Sequence, residues 1–172
     1  MKPKNTSKDI SDNPLLQSRL RALQVDKPFS LEPAGIVRGV TFVNDSAATS
    51  AIAVIESLSY FDEPVVWITE AKDPRSEFVD YVDLLSDKVK AVIVYGDLSA
   101  GWHEALWDYL GFFVKAESWD ESIQLSLEIA KANDTVVFSP GCPASEPFST
   151  FKERGAYFNQ LLKIRANKDS FK

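Results

Sequence analysis

Short apolar runs alternate along the chain with stretches whose apolar residues recur every three or four positions. After Lys27-Pro28, extended pieces around Ile36-Val37-Arg38 and Thr41-Phe42-Val43 flank Gly39, which predicts a tight connection or hairpin. A helix is expected from Thr49 to about Tyr60, with Ile52, Ile55 and Leu58 on its inner face. A strand at Val65–Thr69 follows, then a Lys72-Asp73-Pro74-Arg75 loop and a helix from Ser76 that turns Phe78, Tyr81, Val82 and Leu85 one way. The strand Ala91–Tyr95 stops at Gly96-Asp97, and the helix Gly101–Leu110 carries Trp102, Leu106 and Tyr109 inward. A brief strand, Phe112–Lys115, precedes a helix from Asp120 to Lys131 facing in through Ile123, Leu127 and Ala130. The strand Thr135–Phe138 then runs into Ser139-Pro140-Gly141-Cys142-Pro143-Ala144-Ser145, where two prolines and a glycine turn the backbone sharply. Beyond it Phe148, Phe151, Gly155, Phe158 and Leu162 repeat at offsets of 3, 4, 3 and 4, one helical face with glycine at its middle position.

Strands alternating with helices of this length predict an α/β fold, a three-layer Rossmann-like architecture. Its sheet should be mostly parallel, with about six strands and helices on both faces. The ligand edge of such a sheet lies beyond the strand carboxyl ends, so the loop after Phe138 is either a ligand corner or only the last β–α unit closing the core. Ahead of the alternation, residues 1–13 read as a disordered tail, and residues 14–27 as a helix and linker with Leu16, Leu20 and Leu23 at helical spacing. Residues 28–166 form the domain, and residues 167–172 a tail.

Composition narrows the function classes. The chain has 172 residues, enough for one domain with a real core. Its formal charge of −6 argues against a nucleic-acid surface. The longest apolar runs are strand-length, and residues 1–14 carry no secretory signal, so the expectation is a cytoplasmic protein with no membrane and no nucleic-acid partner. One cysteine excludes an internal disulfide, and with a single histidine it leaves little for a zinc site, so no metal site is expected.

No P-loop and no Gly-x-Gly-x-x-Gly occurs, and no Ser/His/Asp set is readable. His103 reads as a surface or rim residue, and Cys142 as a structural cysteine without a base partner. Asn44-Asp45-Ser46 sits where a strand ends and a helix begins. Asp45 there could hold a ribose hydroxyl or a cation, with Ser46 or Thr49 donating to an anion, or Asp45 or Ser46 could simply cap the helix for about 1 kcal/mol. Lys72 and Arg75 could meet an anion, or lie in a solvated loop. Trp102, Trp107, Tyr109, Phe112 and Phe113 cluster in sequence as an interface or a second layer of core.

In order, these stretches resemble the C-terminal domain of the Mur ligases, nearest to the branch that adds D-glutamate to UDP-muramoyl-alanine. Gly39-Val40-Thr41-Phe42-Val43-Asn44-Asp45-Ser46-Ala47-Ala48-Thr49 is similar to the family's G-V-x-x-(I/V)-N-D-S-K-A-T, and Ser139 through Phe158 to its S-P-A-C-A-S-x-D-x-F-x-x-F-x-x-R-G-x-x-F. Pro28-Phe29-Ser30-Leu31-Glu32 falls where the family has P-H-R-x-E, and the similarity spans roughly Leu16 to Lys163. The resemblance implies nucleotide contacts at Asn44 and Asp45. It implies substrate contacts at Ser46, Thr49, Arg75, Ser139, Cys142, Ser145 and Phe148.

The departures are specific. Ser30 stands for an arginine and Phe29 for a histidine, Ala47 for a lysine, Pro74 for the lysine of G-G-x-D-K-G-x-D, and Ala144 for a serine. Each of the three expected cationic positions lacks its cation, and an anion buried without a paired charge binds poorly. The family's ligases also use a UDP-sugar domain and a P-loop ATPase domain, and neither signature occurs in this chain. The resemblance therefore implies no catalytic residue here and a module that is non-catalytic alone, with a protein partner such as an ATPase half or a cell-wall enzyme. Alternatively it is the substrate-binding part of an ATP-dependent amino-acid ligase completed in trans, with ATP and magnesium supplied only by that separate domain. A third reading is a binder of a small anionic amino acid in the old pocket, with Arg75 as the new contact.

Overall fold

The computed structural model describes residues 27–70, 78–96, 106 and 108–169. The expected helix before residue 27, the loop carrying Lys72 and Arg75, His103, Trp102 and Trp107 lie outside the described residues.

Six strands form one sheet: β1 (Glu32–Val37), β2 (Val40–Asn44), β3 (Val65–Thr69), β4 (Val89–Tyr95), β5 (Phe113–Ala116) and β6 (Thr135–Phe138). Their order across the sheet is β1-β2-β6-β3-β4-β5. Only β1 is antiparallel to its neighbour, and the other four pairings are parallel. The β1–β2 hairpin turns on Arg38 and Gly39, both at positive φ (52° and 78°). That pair of left-handed residues matches the twist of the flanking strands.

Among the described residues, four α-helices with both ends defined cover the faces: α1 (Ala51–Ser59), α2 (Val82–Lys88, after a 3-10 turn at Val79–Tyr81), α3 (Trp119–Ile129) and α4 (Phe151–Asp169). The strands are apolar at nearly every position because successive side chains enter opposite cores. Val43, Trp67, Val92, Val94 and Val137 pack against α1 and α2 through Val54, Ile55, Leu58 and Leu85. Phe42, Ile68, Ile93, Val136 and Phe138 pack against α3 and α4 through Ile123, Leu127, Phe158 and Leu162. The three-layer Rossmann-like expectation is the observed architecture.

Some helix faces and boundaries differ from expectation. The buried stripe of α1 is Ala51, Val54, Ile55 and Leu58, and Ile52 is 60% exposed. Ile52 lies one residue on from Ala51, about 100° round the helix. Tyr109 is also exposed, because residues 108–110 form a turn and the inward positions are Leu106 and Leu110. Phe112 is exposed as well, whereas Phe113 packs on the core. Helix α3 ends at Ile129, leaving Ala130 as its C-cap. Phe148 precedes α4, which runs past residue 166 to Asp169, where Arg38 pairs with it at 2.7 Å.

Candidate functional site

The carboxyl ends of β2, β6 and β3 lie side by side, because β6 inserts between the other two. They bring together Asn44-Asp45-Ser46, Ser139 to Cys142 and Thr69-Glu70, the edge where open parallel sheets take ligands. Here the polar groups at that edge bond to one another.

Asp45 is 1% exposed. Its Oδ1 accepts from the Leu31 amide at 3.1 Å, and its Oδ2 accepts from the Ser139 hydroxyl at 2.7 Å. Burial pushes its carboxyl up to about 6, opposed by hydrogen bonds from Ser139, Ser57 and Leu31 and by the charge of Lys27. It does not cap α1; Ser50 does, accepting from the Ala53 amide at 3.3 Å. The Asp45 bond instead holds a strained loop: Phe29 and Leu31 take φ of 60° and 47°, costly for bulky side chains. The Phe29 amide reaches Glu32 Oε2 at 3.0 Å, and its carbonyl accepts from the Ala47 amide at 3.0 Å.

Asn44 and Ser46 reach the other way, to α4. Asn44 Nδ2 donates to the Gly155 carbonyl at 2.9 Å and to Asn159 Oδ1 at 2.7 Å, and its Oδ1 accepts from the Ser46 amide. The Ser46 hydroxyl donates to the Phe151 carbonyl at 3.0 Å. Gly155 permits this approach, since a Cβ there would overlap Ser46 Oγ and come within 2.8 Å of the Phe29 ring.

Arg154 closes the corner. Its guanidinium is buried, with Nη1 on Glu70 Oε2 at 2.9 Å and Nη2 donating to the carbonyls of Cys142 at 3.0 Å and Ser46 at 3.2 Å. The β6 loop is pinned further: the Trp67 indole donates to the Ser139 carbonyl, the Thr69 hydroxyl to the Pro140 carbonyl, and the Gly141 amide to the Ala48 carbonyl.

Of the residues singled out from the sequence, Asn44, Asp45, Ser46 and Ser139 converge and are buried. Thr49, Cys142 and Ser145 are half-buried at the rim, and Phe148 packs with Trp119 and Tyr157 on the face covered by α3 and α4. Arg75 lies outside the described residues. Sequence reasoning missed Glu70, the carboxylate that holds Arg154 from 84 positions away. It also missed Asn159, one helical turn beyond Gly155. The Arg-Gly pair facing a small-residue position was the available signal. Among the described residues no group of three or more His, Cys, Asp or Glu could hold a metal ion, and no helix is long and apolar enough to cross a membrane.

The raised carboxyl of Asp45 has a signed consequence. A folded-state value near 6 against an unfolded value near 3.8 means the folded chain holds the proton more tightly. This contribution to stability is therefore full below about pH 4 and is lost as pH rises through 6. Asp45→Asn should remove that slope, worth about 2 to 3 kcal/mol at neutral pH. Urea midpoints measured from pH 4 to 7.5 check it, and equal slopes for both chains would contradict it.

Comparison with known proteins finds relatives for the chain. No family model matches the chain. A UDP-N-acetylmuramoylalanine–D-glutamate ligase of Chlamydia pneumoniae is 34% identical over 146 residues, 84% of this chain and 35% of that protein. The enzyme of the same name from Desulfitobacterium hafniense (strain DSM 10664 / DCB-2) is 29% identical over 133 residues, 77% of this chain and 29% of that protein. The chain thus spans about a third of the length of these curated relatives. Among solved structures, a domain assigned to a UDP-N-acetylmuramate:L-alanyl-gamma-D-glutamyl-meso-diaminopimelate ligase of Haemophilus ducreyi 35000HP shares the fold. Its TM-score is 0.55 at 17% identity, covering 80% of this chain and 98% of that one.

Proposed function

Because the chain belongs to the Mur ligase family, as a homologue of its C-terminal domain, we propose that these 172 residues act as a non-catalytic interaction module linked to peptidoglycan precursor ligation. The observation that carries this reading is the internal use of the corner. Asn44, Asp45, Ser46 and Ser139 are at most 1% exposed, and they spend their polar atoms on Leu31, Phe151, Gly155, Asn159 and each other. Their burial speaks against a nucleotide resting on Asn44 and Asp45, and Arg154 is held by Glu70, not left for a ligand. At the family's cationic positions Ser30 and Ala47 offer no charge. An acyl-phosphate route to an amide needs cations on the transferring phosphoryl group, so no step of that chemistry is assigned to these residues.

The module's partner would be the ATPase-bearing portion of a Mur ligase. The test mixes the purified chain with that portion of a D-glutamate-adding relative, followed by size-exclusion chromatography and an assay for amide formation from ATP, D-glutamate and the UDP-sugar substrate. A complex without amide formation is the expected result. A complex that forms the amide would replace this reading with completion of a ligase in trans. Amide formation by the chain alone, or no complex at micromolar concentrations, would overturn the proposal.

A further inference from the structure

The outer face of α1 carries a stripe of side chains that the sheet does not use. Ile52, Glu56 and Tyr60 recur at offsets of four, from the first turn of the helix to its C-cap. Ile52 is 60% exposed and Tyr60 49%. We propose that this stripe is the docking surface for residues 14–26 of the same chain, laid antiparallel along α1.

The segment has the shape the stripe calls for. Leu16, Leu20 and Leu23 share one helical face, and Arg19 flanks it. From Leu16 to Leu23 such a face is about 10 Å long, against about 12 Å from Ile52 to Tyr60. A helix of thirteen residues is marginal in isolation, so its apolar side needs a second surface to bury it.

The described chain fixes where the segment would start. The Phe29 carbonyl accepts from the Ala47 amide at 3.0 Å, four residues before α1 begins, and Leu31 packs in the core beneath that helix. The chain running back from Phe29 therefore sets out beside the N-terminal end of α1. Leu23 lies six residues behind Phe29, a reach of at most about 20 Å. That order sets Leu23 against Ile52, Arg19 and Leu20 beside Glu56, and Leu16 against Tyr60.

Charge selects this occupant over two others. Helix α1 and the α2 segment that contacts it expose Glu56, Asp80, Asp83 and Asp87, with Lys88 as their one cation. Of these carboxylates only Asp87 is ion-paired among the described residues, to Lys88 at 3.4 Å. A second copy packed face to face would set this acidic surface against itself. Residues 14–26 instead bring Arg19 and Arg21 with a single carboxylate, Asp26. Helix α4 also begins nearby, since Lys27 lies over the Phe151 ring at 5.5 Å. It exposes Lys152, Lys163 and Lys168, however, which would repel the two arginines.

The test places a nitroxide at Ser18→Cys, roughly opposite the leucine face, in a Cys142→Ser background of the whole isotope-labelled chain. Loss of the amide NMR signals from Ile52 to Tyr60 is expected, with those of α3 kept. Ile52→Asp should restore them. An aspartate in the first turn favours a helix, so that recovery would not come from unfolding of α1. Glu56→Arg should lower the docked population by about threefold, and adding Arg19→Glu should bring it back. In the unlabelled chain with its own cysteine, Ile52→Asp should shift the amide signals of Leu20 and Leu23. Signals of α1 left intact by the nitroxide, or lost from another element instead, would overturn the proposal. So would loss seen only between nitroxide-bearing and isotope-labelled copies, which would mean a second chain, or unshifted Leu20 and Leu23 in Ile52→Asp.

Discussion

Arg154→Met is expected to cost about 3 to 5 kcal/mol of folding stability, the largest effect of any single change considered for this chain. The guanidinium is 1% exposed, and its removal takes the cation from Glu70 and the donor from two carbonyls, those of Ser46 and Cys142. Methionine fills the aliphatic part of the space and supplies none of these bonds. A domain of this size has a net stability of about 5 to 15 kcal/mol, so urea or thermal midpoints should fall sharply. Breaking one side of a buried pair costs more than removing both, because the remaining charge keeps its desolvation penalty. The double variant Arg154→Met/Glu70→Met should therefore recover part of the loss. A single-variant loss below about 1 kcal/mol would mean the pair behaves as an exposed one. A double variant no more stable than the single would mean the carbonyl bonds dominate.

Gly155→Ala is expected to destabilise by about 2 kcal/mol, against the usual direction for a helix interior, where alanine gains about 1 kcal/mol over glycine. Gly155 has no positive φ to relieve, and the reason is contact alone. The added methyl would overlap Ser46 Oγ and stand 2.8 to 2.9 Å from the Phe29 ring. Ser46 can move aside only by giving up its bond to the Phe151 carbonyl, and Phe29 is fixed by a backbone already at φ 60°. Denaturant unfolding of the variant measures the effect, and a neutral or stabilising result would show that α4 can back away from β2 at little cost.

The layers of the fold were legible because burial on both faces leaves each parallel strand apolar throughout, as in Val65-Val66-Trp67-Ile68. The hairpin was legible because Gly39 marks it locally. Strand order was not, since the placement of β6 between β2 and β3 depends on pairings far apart in sequence. Ile52 was misplaced because Ile52, Ile55 and Leu58 repeat every three residues, and that spacing does not fix the phase once Ser50 begins the helix. At the candidate site the motifs singled out Asn44, Asp45, Ser46 and Ser139, which the fold brings together, yet their orientation was hidden. Whether a carboxylate faces a cleft or a backbone amide depends on the loop at Phe29–Leu31, whose left-handed residues carry no glycine to announce them.

The central position of β6 also orders events during synthesis. Strands β2 and β3 do not pair with each other, and in the sheet they are bridged by residues 135–138. A growing chain can close the β1–β2 hairpin and pair β3 with β4 early, but the two strand pairs are not joined edge to edge until β6 is made. Each presents an open apolar edge for that interval, the state in which chains of non-local topology are most prone to associate wrongly. Completion of the sheet, and with it the Asp45–Ser139 bond, waits for the synthesis of residues 135–139.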